Sequence, residues 1–310
     1  MRLHEERTIF DNLISLTSRY KGITSSAVKR DYYMVLLLEK LSSSEYSEKC
    51  VFKGGTSLSK CYEGVIERFS EDIDITYLGF EENDNFVDKT IKKIEKIIVG
   101  NAFNEKISDE RSQRSKSIYI WFENEEDRIK LEIGSNVKPE PYSKRKLKSY
   151  IHEYLEKNNL HEEITMYGLK EIELNVLNIE RTFIDKVMAV KRHALQGNIA
   201  NKVRHIYDVV KLYQTKEIQT FITDRNKLKN IVRKTKETDS YYLIKRKIKI
   251  GYNLNSEYNF ESWKHYLNKN VRYIYEHLHE TLLYTNKKQD FNDAIKTLKC
   301  ISDLFKEIEE

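Results

Sequence analysis

Apolar positions near the start of the chain recur at steps of three and four. Residues 4–20 and 27–42 carry that spacing, the second with Tyr33, Leu36, Leu37 and Leu41, and predict two helices. The period then changes. "CVFKGG" reads as a short strand broken by glycine, "SLSKCYEGVI" as a helix, and "DIDITYL" as a strand of alternating polar and apolar residues. Residues 84–99 return to helical period, and "KSIYIWFE" and "RIKLEIG" on either side of "NEED" predict an antiparallel hairpin. The only two prolines, Pro139 and Pro141, stand in "VKPEPYSKRKLK" with five basic residues, where a break in regular structure and a domain seam are expected. From about residue 176 helical patterns dominate, with no internal repeat. The expected fold is α/β of the α+β kind: a mixed-sheet domain over residues 1–140, with two helices at its start, then a mainly helical domain over 141–310.

Composition narrows the classes without naming one. The chain has 310 residues, 39% of them apolar, with 21 Tyr and 12 Phe, so a sizeable core is expected to rely on large amphipathic rings. With 54 Lys and Arg against 49 Asp and Glu, the net charge of +5 permits nucleic-acid contact without arguing for it. "MRLHEERTIF" has charge where a signal peptide needs an apolar core, and "MVLLL" is too short to span a bilayer, so a cytoplasmic protein with no membrane partner is expected. Cys50, Cys61 and Cys300 form no CxxC pair, which sets thiolate metal sites aside.

The informative chemistry lies in "VFKGGTSLSKCYEGVIERFSEDIDI". Side chains two apart on a strand share a face about 6.6 Å along it, so Asp72 and Asp74 can address one divalent cation while Ile73 and Ile75 enter the core. Hard cations such as Mg²⁺ (or Mn²⁺) take carboxylate oxygens and keep positions open for phosphate, which points to phosphoryl or nucleotidyl transfer. Gly54 and Gly55 allow close backbone approach to a ligand. Thr56 and Ser57 offer hydroxyls and N–H groups to a phosphate where the next helix is expected to start. GxxxxGK[ST] is absent, so this is not a P-loop. A third carboxylate is common in two-metal chemistry, and Glu132, central in "RIKLEIG", is the candidate if its strand lies beside "DIDIT". Each half of the stretch alone reads more readily as a capped turn or a solvated strand, and only the two together point to a site.

Four segments in order, "KGGTSL", "RFSEDIDI", "IDKVMAVKRHA" and "VRHIYDVVKLY", resemble the AbiEii group of abortive-infection toxins, a branch of the nucleotidyltransferase-like superfamily. "AVKRDYYMVLLLEKL" is similar to the helix that precedes the first motif, and the resemblance runs from about residue 25 to 215. It implies a nucleotidyltransferase-like fold and an NTP- and Mg²⁺-dependent transferase, the toxin of a type IV toxin–antitoxin pair. Its implied acceptor is RNA, tRNA in particular, and its implied antitoxin is encoded alongside and need not bind it. On that resemblance Gly55, Thr56 and Ser57 belong to the phosphate-binding turn and Asp72 and Asp74 to the metal pair, while Lys186 and Asp208 match the lysine and aspartate of the later motifs.

The residues around those later motifs fit a helix. Phe183, Val187, Val190 and Ala194 form an apolar stripe, with Lys186 on another face as a point charge for a triphosphate and Arg192 as a planar support. Asp208 is open to three roles: orienting Lys186, acting as a base, or pairing structurally; His205 beside it reads as a packing residue. Residues 225–249 carry ten Lys or Arg against two acids, a pattern for RNA contact or for a solvated face. The active site is expected between the two domains. The rival readings are a non-catalytic NTP-binding regulator and a metal-dependent nuclease using the same carboxylates.

Overall fold

The structure is a computed structural model that describes residues 2–62, 64–70, 72–245 and 252–309. Contacts divide the chain into two units, Met1–Cys61 with Phe69–Leu177, and Tyr62–Arg68 with Asn178–Glu310.

The first unit is built on one mixed sheet. Its strands are β1 (Cys50–Lys53), β2 (Asp72–Tyr77), β3 (Phe103–Lys106), β4 (Ser115–Trp121), β5 (Ile129–Gly134), β6 (Tyr142–Leu147) and β7 (Ile172–Leu177), ordered β3-β4-β5-β2-β1-β7-β6. β2 runs parallel to β5 and β1 parallel to β7, and the other neighbours are antiparallel. The helices are α1 (Arg7–Lys21), α2 (Ser25–Ser42), α3 (Gly54–Cys61), α4 (Asp84–Val99), α5 (Tyr150–Lys157) and α6 (His161–Met166).

Alternation places Ile73 and Ile75 of β2, Ile118 and Ile120 of β4, and Ile129, Leu131 and Ile133 of β5 on one buried face. α4 packs across β4 and β5, with Val87, Ile91, Ile94 and Ile98 fully buried at steps of three and four. Each such side chain contributes roughly 1.5–3 kcal/mol by leaving water. Asn83 caps the start of α4 and Gly100, at φ 58°, ends it.

Two expectations need correction. "VKPEPYSKRKLK" is read as a break, yet Tyr142–Leu147 is the edge strand β6, paired with β7, so the sheet extends past the expected seam at 140 and the division by contacts falls after Leu177. Charged residues at an edge look like a loop in sequence, but they keep an open edge from pairing with another chain. Four of the five basic residues there are held by acids: Lys138 by Glu81, Lys144 by Glu48, Lys146 by Glu171 and Lys148 by Glu156. The helix expected over "SLSKCYEGVI" begins earlier, on the glycines, and ends at Cys61, because residues 62–68 belong with the second unit.

α3 is fastened through Lys60. Its ammonium lies 2.6 Å from a carboxylate oxygen of Asp31 on α2 and 3.8 Å from the Tyr150 ring centroid at the start of α5, and both charged side chains are buried. Asp31 also accepts the Tyr150 backbone N–H at 2.6 Å. Burial pushes the Asp31 carboxyl above its usual range, against the pull of Lys60.

The second unit contains no strand among its described residues. It comprises α7 (Ile179–Leu195), α8 (Arg204–Tyr213), α9 (Lys216–Thr223), α10 (Arg225–Lys245), α11 (Phe260–Trp263), α12 (Lys269–Glu276), α13 (Leu278–Thr281) and α14 (Phe291–Glu309). Phe183, Val187, Val190 and Ala194 form the buried stripe of α7, as the spacing predicts. Buried Arg181 ties α7 to α10 through Asp239 at 2.7 Å and pairs with Asp185 at 2.9 Å. Among the described residues, no helix is long and apolar enough to cross a membrane.

Candidate active site

β1 runs directly into α3, and the residue at the junction has to be glycine. Gly54 has φ 85°, a conformation L side chains rarely adopt, and a Cβ built there would lie 2.0 Å from Oδ2 of Asp74. The turn therefore rests on the second aspartate of "DID". Gly55, Thr56 and Ser57 are buried in the first turn of α3. The Thr56 hydroxyl donates to the carbonyl of Asp72 and lies 2.9 Å from the Ser70 hydroxyl, while the Ser57 hydroxyl donates to the Gly54 carbonyl at 3.0 Å. The Thr56 hydroxyl ties the turn to β2 and the Ser57 hydroxyl closes the turn on itself, so in this structure what the turn can present is backbone.

Asp72 and Asp74 are half-buried on the sheet face opposite Ile73 and Ile75, as the alternation predicts. Glu71, within the same motif, lies outside the described residues. β5 lies beside β2, where the reading of Glu132 needs it, with Glu132 in register with Asp74. The Glu132 carboxylate pairs with Lys130 at 2.5 Å, and Lys130 also meets Glu110 at 2.6 Å. Burial disfavours the Lys130 charge, but hydrogen bonds to Glu110 and Glu132 outweigh it and hold the ammonium above its usual range. Among the described residues, no group of three or more His, Cys, Asp or Glu is placed to hold a metal ion. Asp72 and Asp74 remain as a two-carboxylate, all-oxygen donor pair, which fits a hard divalent cation that keeps water or phosphate oxygens as its other ligands.

The second unit gathers another set. Lys186 of α7 pairs with Oδ2 of Asp208 on α8 at 2.9 Å, and Arg68 grips the same carboxylate through Nε at 2.6 Å and Nη2 at 2.8 Å. Asp208 is fully buried. Burial alone would raise its pKa, but the charges of Arg68 and Lys186 overcome that and hold the carboxyl well below the usual range. A carboxylate so stabilised is a poor base. Of the three roles open to Asp208, holding Lys186 is the one its geometry serves. Nδ1 of His205 lies 3.4 Å from the Lys186 ammonium, and burial together with Lys186 drives its pKa well below the ordinary value, so it meets Lys186 as a neutral acceptor. His193 stacks on His205 at 5.4 Å, and burial followed by the Arg192 charge lowers its pKa to about 4.

Arg192 stands half-buried in the last turn of α7, six residues beyond Lys186 and so about 120° away around the helix axis. Lys186 and Asp208 are thus brought together, and Arg192 is on another side. Sequence reading misses Arg68 and undervalues His205. No periodicity marks Arg68, whose burial depends on an anion 140 residues away; His205 sits among apolar positions like any packing residue. The basic run at 225–249 is helical to Lys245, with 246–249 outside the described residues. Several of its charges are paired: Arg225 with Glu307, Lys227 with Glu180, Arg233 with Glu237 and Lys236 with Glu309.

The mixed sheet with its helices is of the nucleotidyltransferase-like fold class. The chain aligns with MenT4, a nucleotidyltransferase toxin from Mycobacterium tuberculosis H37Rv, at TM-score 0.50 and 18% identity over 96% of each chain. It also aligns with JHP933 from Helicobacter pylori at TM-score 0.43 and 14% identity, over 92% of this chain and 94% of that one. No curated protein matches the chain. Residues 36–297 match the model of the nucleotidyl transferase AbiEii toxin family of type IV toxin–antitoxin systems, and the chain belongs to that family.

Proposed function

We propose that this toxin transfers a nucleoside monophosphate from an NTP to an RNA acceptor, with tRNA the acceptor of first interest and Mg²⁺ or Mn²⁺ as the cofactor. The observation that carries the reading is the close approach of Gly54 to the Asp74 carboxylate, which sets the glycine turn beside one of the two alternating aspartates. Asp72 and Asp74 would hold the cation, which when bound neutralises phosphate charge. The backbone of Gly54, Gly55, Thr56 and Ser57 shapes the cradle for the outer phosphates. Lys186, with Arg192 as a further cation, would meet triphosphate charge, a reading supported by the likeness of "IDKVMAVKRHA" to the family's motif. In the reaction the acceptor hydroxyl oxygen bonds to the α-phosphorus, the bond to the β-bridging oxygen breaks, pyrophosphate departs and the hydroxyl proton passes to solvent. A cytoplasmic location and an antitoxin encoded alongside complete the proposal.

Incubating the protein with each labelled NTP, Mg²⁺ and total tRNA tests it. Label joined to RNA is the expected result. Shortened RNA would replace the transferase by a nuclease, and NTP binding with no covalent label would replace it by a regulator.

A further inference from the structure

The carboxylates share their sheet face with a set of rings that the reaction does not use. Register carries one row from Asp72 through Lys130 to Tyr119, and β4 continues on the same face to Trp121, opposite Phe103 on the edge strand β3. α4 packs across β4 and β5 on the other face, where Ile118, Ile120, Leu131 and Ile133 are buried. Tyr119 and Trp121 are half-exposed, and Phe103 is 63% exposed. The Phe103 and Trp121 rings stack with centroids 6.3 Å apart and planes 20° from parallel, and the Arg128 guanidinium carbon lies 4.3 Å from the Tyr119 centroid. Flat, partly exposed rings and a guanidinium thus extend outward from the two aspartates.

We propose that Tyr119, Arg128, Trp121 and Phe103 form a stacking platform for unpaired bases of the acceptor strand next to its reacting end, an inference that rests on the RNA-transfer reading. The chemistry of the face selects bases over backbone. The cations beside the rings are matched, Lys130 by Glu110 and Glu132 and Arg128 by Glu125 at 3.6 Å, so this part of the face offers little to a row of phosphates. Rings and guanidinium planes bind any base through its π-face. Strands lie about 4.8 Å apart, so Tyr119 sits about 10 Å from Asp72 across β5, the length of roughly three stacked nucleotides. The platform therefore favours acceptors with at least about three unpaired residues at the end and ignores blunt duplexes.

The test is binding of an unstructured RNA hexamer, followed by quenching of Trp121 fluorescence. The second tryptophan, Trp263, is fully buried and contributes a constant background. Tyr119→Ala and Phe103→Ala, with folding checked by circular dichroism, are each expected to weaken hexamer binding about five-fold or more, since a base–aromatic stack is worth about that much. Tyr119→Phe, which keeps the ring, restores it. In transfer assays Tyr119→Ala raises KM for RNA with a four-nucleotide 3′ overhang and leaves KM for a blunt duplex where it was. Unchanged hexamer binding in both alanine variants, or no binding by the wild-type chain, overturns the platform even if label reaches RNA. Hexamer binding that depends on Tyr119 without any transfer to RNA overturns the functional reading and leaves the platform standing.

Discussion

Asp208 has no exposed surface, and two cations keep it ionised. Its lowered pKa means that the native state binds its proton less readily than the unfolded chain does. The stability it contributes is therefore complete above about pH 4, the unfolded value, and is lost as pH falls toward the folded one. Asp208→Asn is expected to cost about 3–5 kcal/mol near neutral pH, because two buried cations lose their counter-charge, and the gap from wild type should narrow in acid. Urea titrations across the acid range check this; a gap that widens in acid would contradict the pairing. Lys186→Ala should weaken NTP binding and slow transfer, with Lys186→Arg recovering only part, since a guanidinium fork does not replace a point charge. At the turn, Gly54→Ala would force a Cβ onto the Asp74 carboxylate and should abolish transfer, which an assay with labelled NTP would show.

At the scale of elements, the Lys60–Asp31 pair fixes α3, and with it the turn, to α2 and α5. Asp31→Leu alone would leave the buried Lys60 ammonium with only Glu153, at 3.9 Å, and should cost about 3 kcal/mol, whereas Asp31→Leu with Lys60→Met should recover most of that loss. Denaturant midpoints of the two variants decide it. The sequence made some elements plain and hid others for physical reasons. β2 and the β4–β5 hairpin show in their alternation because one face is buried and the other is polar. β3 and β6 do not, because exposed edge strands such as "FNEK" and "YSKRKL" carry charge for solubility and so lose the signal that marks a strand. In the candidate site, Asp72, Asp74 and the glycines are local in sequence and readable. The partnership of Arg68 with Asp208 is not, since nothing in a single strand or helix records a contact across 140 positions.

For the molecule as a whole, a ligand that binds only the folded form stabilises it by mass action. NTP with Mg²⁺ at 100 times Kd should add about 2.7 kcal/mol and raise the melting temperature of a unit this size by about 5–10 °C. Asp74→Asn should remove the Mg²⁺-dependent part of that rise, and a full rise in the variant would exclude Asp74 as a cation ligand.

Tyr62–Arg68 leaves one unit for the other between the glycine turn and the aspartate strand. The consequence falls on the gene. No single cut yields two self-sufficient halves: a stop codon anywhere between 68 and 208 strands the Arg68 guanidinium, and a segment starting at 178 inherits Asp208 without its strongest partner. The two parts are inherited together, since a frameshift anywhere in that span takes away the carboxylate that Arg68 grips in the full chain.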